Sequence, residues 1–568
     1  MSTEQELQSF IDSHVSKVKP LMKDANIAYF DAITTGDDKY YKKYEELSLE
    51  IEKIYNDKEG FEKLKEFKKN IEEIKKPLLK RQLNILYNSY LGSQGDISLL
   101  KEIIELSSKI EKNFNIYRAK IDGKEYTDNE IKDILRKEND SKKLEIAWSA
   151  SKKQGEIVEK DLIFLIKLRN KLALSLGFKN YYEMSMTLSE QNPKEIEKLF
   201  LELDELTKKP FEKLKREMDE VLSKRYKINI HELNPWHYHD LFFQEAPEIY
   251  KIDLDKYYEN QDTEQKVNLN PQVEDKASAL SFCSVSPNPI HKSEGFGDVI
   301  EIAKDFYNNL GLNIDNILEK SDLYEKSKKY QHACCMDIDR EGDIRIVESV
   351  KNNEKWMDTT LHELGHAAYD KYLDKNLPYM LKHAAHIFTT EAIALLFGRF
   401  ASNPDFMERY CGISLNEKKK ISETLDKILR LQKLVFSRWS QVMLNFEKSI
   451  YENPAQDLNK LWWNLVKKYQ LLDFSRDKPD WASKIHISSS PVYYHNYLLG
   501  DLLASQIKAY VNKNIILKDE TWIGNKKVGE YLREKIFFSG KSFEWNEMIK
   551  RATEELLTAR HFAEEFCG

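Results

Sequence analysis

At 568 residues, with 32% charged residues but only 19 glycines and 14 prolines, the chain has the length of several ordinary domains and few turn formers. That balance excludes a turn-rich β architecture and predicts long helices joined by short loops. A net charge of -7 offers no bulk basic field to nucleic acid or acidic lipid.

The N-terminal MSTEQELQSFIDSHV lacks the basic start and apolar run of a secretory signal. No segment reaches the ~18–20 apolar residues that span a bilayer. The five cysteines, Cys283, Cys334, Cys335, Cys411 and Cys567, are too few for a disulfide framework, so a reducing, cytoplasmic location is expected unless a signal has been removed.

From the start, Leu7, Phe10, Ile11, Val15 and Val18 recur at helical steps, and such stripes continue to about residue 120, predicting a helical lid region over 1–120. The lysine-rich stretch from Lys63 to Lys80 carries Glu66, Glu72 and Glu73 at helical spacing and reads as a solvated face. Further amphipathic segments cover 129–224, 295–312, 416–452, 455–470, 492–513 and 543–565. Residues 225–290 are rich in loop chemistry, which predicts an irregular or small β insertion. Within 332–349, the turn signal Glu341-Gly342-Asp343 separates two short runs that predict a hairpin. With no linker-like stretch elsewhere, the chain reads as one mainly α catalytic unit over 1–568, two helical lobes flanking a deep cleft beside a small β element, with the site region at 231–510.

His362-Glu363-Leu364-Gly365-His366 is an H-E-x-x-H motif. On a helix, residues four apart share a face, so both imidazoles reach one zinc while Glu363 takes a proton from water. Asp358 is the expected N-cap of that helix. A catalytic zinc takes a third protein ligand, and Glu391 stands alone in the apolar helical run Thr389 to Gly398, where an unpaired carboxylate is costly to bury. The predicted set is one zinc per chain, held by His362, His366 and Glu391, with Glu363 as general base.

The pattern H-E-x-G-H, some two dozen residues, then Glu-Ala-Ile, resembles the angiotensin-converting-enzyme family of peptidyl-dipeptidases. Three further blocks carry the likeness: HACCMD at 332–337; FEKSIYENPAQDLNKLWWNLVKKYQ at 446–470; and Lys484-Ile485-His486-Ile487 followed by Pro491, Tyr493, Tyr494 and Tyr497. The resemblance implies oxyanion donors at His486 and Tyr497, with Tyr494 the rival for the tyrosine role because the spacing from His486 is one residue longer than the family's. It also implies a clamp for the peptide's terminal carboxylate from Lys484, Tyr494 and Gln244, and substrate contacts at His332 and through the backbone of Ala333. Cys334 and Cys335 lack a Cys-x-x-Cys partner and read as small buried hydrophobes.

Two departures stand out. Leu395 occupies the place where the family has an acid orienting a zinc histidine, so another group must hold that imidazole. Asn496 replaces the arginine that mammalian members tie to chloride activation, which puts chloride dependence in doubt. The leading function is a zinc peptidyl-dipeptidase acting on short peptides, with no nucleic-acid partner. An oligopeptidase cutting internal bonds, or a non-catalytic peptide-binding protein of the same fold, are the alternatives.

Overall fold

The computed structural model describes residues 2–259 and 298–568. Among them are twenty-one α-helices and two two-stranded antiparallel sheets, so the fold is mainly α. Residues 260–290 of the segment expected to form a β or irregular insertion lie outside the described residues. Its described part, after the helix Pro193–Tyr226, runs through short turns such as Ile230–Glu232 and Pro235–Tyr238 without a strand.

The N-terminal helix, Thr3–Thr35, starts at a capping box in which Ser2 and Gln5 satisfy each other's exposed amides. Its stripe buries Leu7, Ile11 and Val18. The lysine-rich stretch behaves as its pattern predicts: Lys63, Lys65, Lys69, Lys75 and Lys76 are exposed, while Leu64, Phe67, Ile74 and Leu79 are buried between them. These N-terminal helices share a core that also takes in Met380 and Leu381.

The larger core gathers around the long helices Ser141–Ser175, Pro193–Tyr226 and Leu415–Glu452. Trp439, from the last of these, is fully buried and meets Trp462 at 5.7 Å. Burying rings of this size contributes much of the hydrophobic stabilisation.

Three helices set the position of the site. The histidine helix, Glu354–Lys371, crosses the glutamate helix, Ile387–Gly398, at Gly365, where an added Cβ would lie 2.8 Å from the Cα of Ala394. On its other side the glutamate helix meets the tyrosine helix, His495–Asn514, at Gly500, where an added Cβ would lie 3.2 Å from both Glu391 Cγ and Leu395 Cδ1. Each glycine permits a backbone approach that a side chain would prevent. The predicted hairpin forms from Cys334–Asp337 and Ile344–Val347, with Cys334 opposite Val347. Ile344, Ile346 and Val347 are buried; among the described residues the first strand has a single strand partner, and Asn26 Nδ2 donates to its last carbonyl, that of Asp337, at 3.2 Å. No helix among the described residues is long and apolar enough to cross a membrane.

Candidate active site

The histidine helix begins earlier than its sequence suggests. Its N-cap is Asn353, whose side chain accepts from the amide of Trp356; Asp358, expected as the cap, lies a turn inside the helix with its carboxylate toward Gly398. The backbone carbonyl of Asn353 accepts from the Met357 amide at 3.1 Å, and the Glu354 amide donates to Asp255 Oδ1 at 3.0 Å, so the first turn extends beyond the apolar run that marked it.

Four-residue spacing brings the rings of His362 and His366 to 5.0 Å. Glu391 faces both: its Oε1 is 3.7 Å from His362 Nε2 and its Oε2 is 3.6 Å from His366 Nε2. The three ligand atoms lie within 4.8 Å of one another, and this is the grouping among the described residues suited to a metal ion. Two atoms each ~2.1 Å from a tetrahedral zinc stand about 3.4 Å apart, so the set fits that ion with little adjustment. Burial lowers the pKa of His362 to about 3 and that of His366 to about 4, which keeps both imidazoles neutral and their lone pairs free.

The group that orients His366 is Thr390, whose hydroxyl is 2.8 Å from the ring Nδ1. That leaves Nε2 directed at the ligand set. Sequence reasoning missed Thr390, although a hydroxyl directly beside the ligand carboxylate was the available signal. Leu395 instead packs toward Gly500.

Glu363 is buried at 8% exposure, and burial together with the charges of Glu348 and Glu391 raises its pKa to about 8. Glu348 is itself buried, accepting from the Thr360 hydroxyl at 3.0 Å. Nothing in its local sequence, a glutamate closing an apolar strand, marked it as a neighbour of the base.

His362, Glu363, His366 and Glu391 open onto a cavity of about 800 Å³, whose wall also includes Ala333, Tyr493 and Tyr497. Tyr493, given no role from sequence, and Tyr497 both feel the charge of Glu391. Tyr494 turns away. Its ring lies beneath the Lys484 ammonium at 5.0 Å, and its hydroxyl is 3.4 Å from Gln244 Oε1, which also accepts from Lys484 Nζ. The three residues of the expected clamp thus meet, although Gln244 comes from a loop 240 residues before Lys484. Burial lowers the pKa of Lys484 to about 8. The rings of His486 and Tyr494 are 5.0 Å apart and those of Tyr494 and Tyr497 are 5.4 Å apart, so a row of rings runs from the Lys484 cluster to the cavity wall. The Nδ1 of His486 is buried with no partner among the described residues. His332 stands off from the cavity wall, its exposed ring packed on Tyr330 at 5.1 Å.

Two imidazoles and a carboxylate converging beside a buried glutamate, in a cleft of a helical protein, define a metallopeptidase. The family model described as angiotensin-converting enzyme matches residues 1–566. The chain belongs to this family of zinc metallopeptidases. No curated protein matches the chain at a significant level.

Proposed function

We propose that this chain is a zinc-dependent peptidyl-dipeptidase that releases dipeptides from the C-terminus of short peptides. The observation that carries the reading is the pairing of two separate sets: the metal-type cluster with Glu363 in the cavity, and the cluster of buried Lys484 and Tyr494 with half-buried Gln244 beyond it. A cation backed by neutral donors is what a terminal carboxylate requires.

His362, His366 and Glu391 would hold the zinc, which supplies Lewis acidity toward water and the scissile carbonyl. Glu363 accepts the proton of the attacking water and passes it to the leaving amine; its raised pKa suits it to both halves of that transfer. Tyr497, in the cavity wall, donates to the oxyanion of the tetrahedral intermediate, and His486, whose ring lies 5.0 Å from that of Tyr494, is the second donor that the family resemblance implies. Tyr497 is favoured over Tyr494 because the latter's hydroxyl is engaged at Gln244. Ala333, beside the strand Cys334–Asp337 in the cavity wall, pairs with the extended substrate backbone, whereas His332, exposed and packed on Tyr330, is given no substrate contact.

Mass spectrometry of the products from one decapeptide, as free acid and as amide, with and without chelator, tests this reading. Sequential loss of dipeptides from the free acid, abolished by chelation and suppressed by amidation, is expected. Internal cleavage of the amide at the same rate would make the protein an oligopeptidase, and absence of any product from the zinc-loaded protein would leave a peptide-binding role.

A further inference from the structure

The cavity that contains the metal set holds two carboxylates that the proposed chemistry does not use, Asp337 and Asp370. Asp337 ends the strand Cys334–Asp337. Asp370 lies one helical turn beyond His366, on the same face of the histidine helix. One oxygen of Asp337 accepts from the Arg340 amide at 2.8 Å, while Asp370 has no hydrogen-bond or ion-pair partner among the described residues although it is enclosed in the cavity wall.

The nearby cations, Arg340, whose charge partly offsets both carboxylates, and Lys541, in the same cavity wall, have partners of their own. Arg340 stacks on Tyr379 at 4.7 Å and donates to its carbonyl, and Lys541 lies 3.5 Å from Glu190. Neighbouring acids are already matched, Asp339 by Lys23 and Glu341 by Lys19. Two half-buried carboxylates in one cavity wall, offset only in part by the charge of Arg340, are costly to keep ionised. Burial holds Asp337 up at about 6, and burial with the charge of Asp337 raises Asp370 well above the usual carboxylate range. A bound cation would relieve both penalties.

The location identifies what could bring that cation. Lys484, Gln244 and Tyr494 do not line this cavity, whereas Asp337 and Asp370 share its wall with the metal set. A peptide held at its C-terminus and cut at the metal continues into it, along the strand edge that ends at Asp337. We propose that Asp337 and Asp370 form a specificity subsite for a cationic group, a lysine or arginine side chain or the free α-amino terminus, in the part of the peptide N-terminal to the cleaved bond. The inference rests on the peptidase reading above for its orientation.

The test uses the full-length, zinc-loaded protein and a set of free-acid peptides of one length. Lysine or glutamine is placed at each of the three positions before the cleaved bond, and each peptide is made with a free and an acetylated N-terminus. The expected result is a kcat/KM ratio of about tenfold in favour of the cationic member at one position, as a charge-assisted contact would give. That ratio should fall toward one in Asp370→Asn and in Asp337→Asn. A side-chain source keeps the preference after acetylation; an α-amino source loses it. A ratio near one in the wild type, or one that survives in both variants, overturns the subsite. Calorimetry of the same lysine and glutamine peptides with the zinc-loaded Glu363→Gln protein measures the preference without turnover. If no peptide is cleaved, the peptidase reading fails, and that binding ratio alone decides the subsite: tenfold supports it and parity overturns it.

Discussion

The Nδ1 of His366 stands 2.8 Å from the hydroxyl of Thr390, the residue directly before Glu391. One helix therefore supplies both the carboxylate facing the two histidines and the hydroxyl that orients one of them. Thr390→Val keeps the shape and removes the hydrogen bond, and zinc affinity should fall about ten- to a hundredfold. Thr390→Ser should retain most of it. Competition with a chromophoric chelator measures both, and wild-type affinity in the valine variant would remove Thr390 from the site.

Glu363→Gln should leave zinc content intact and lower kcat by ~10²–10⁴-fold, the usual loss when a general base is removed. Metal analysis alongside steady-state rates separates this from loss of the ion. Near-normal turnover in a fully loaded variant would assign proton transfer to another group.

The clamp predicts a dependence on the substrate's terminus. Lys484→Ala removes a charge-assisted contact worth roughly 1.5–3 kcal/mol, about ten- to a hundredfold in kcat/KM for free-acid peptides, and should change amides little. Four measurements, two peptides against two proteins, give the coupling, and a value near zero would discard the carboxylate contact.

The same lysine gives the pH effect its sign. Burial lowers Lys484 to about 8 in the free protein, so its charge is present below that pH and lost above it. The preference for free acids over amides should therefore decline as pH rises through about 8. A preference unchanged up to pH 10 would mean that another cation holds the carboxylate.

Gly365→Ala tests the packing that sets the ligands. Alanine is favoured over glycine inside a helix by ~1 kcal/mol. Here its Cβ would lie 2.8 Å from Ala394 Cα and 3.2 Å from Ala394 N, both backbone atoms that cannot swing away. Overpacking of this kind typically costs 1–3 kcal/mol, so the variant should be less stable despite its propensity. Separating the two helices should also weaken zinc binding. Thermal melts and metal competition report the two effects, and a stabilised, fully zinc-binding variant would contradict the contact.

Chloride should have no effect on rate. Asn496 accepts from Gln191 Nε2 at 2.8 Å, and the other end of that amide meets His495 at 2.8 Å, so neutral, mutually satisfied groups occupy the place of the arginine. Equal kcat/KM in chloride and acetate buffers is expected, and activation by chloride would require an anion site elsewhere.

Much of this protein is decided by short-range rules that its sequence states directly. Leu7, Ile11 and Val18 recur at a helical period because one face must be buried, and the lysines between Leu64 and Leu79 recur on the opposite face because theirs must be hydrated. The step from His362 to His366 is set by the helix itself, as is the isolation of Glu391 in an apolar run. The tertiary structure decided the relations that no local rule contains. Asn353, rather than Asp358, caps the histidine helix because the first turn finds partners upstream of the apolar pattern. Thr390 orients His366 because Gly365 lets two helix backbones approach closely enough for a short side chain to reach across. Tyr494 and Tyr497 are nearly adjacent in sequence, yet one turns to Lys484 and the other into the cavity, a choice made by the surfaces packed on each side of their helix. Asp337 and Asp370 come to line one cavity only when hairpin and helix pack together. Periodicity and capping act over a few residues, whereas side chains far apart in sequence are brought into register by burial of the whole core.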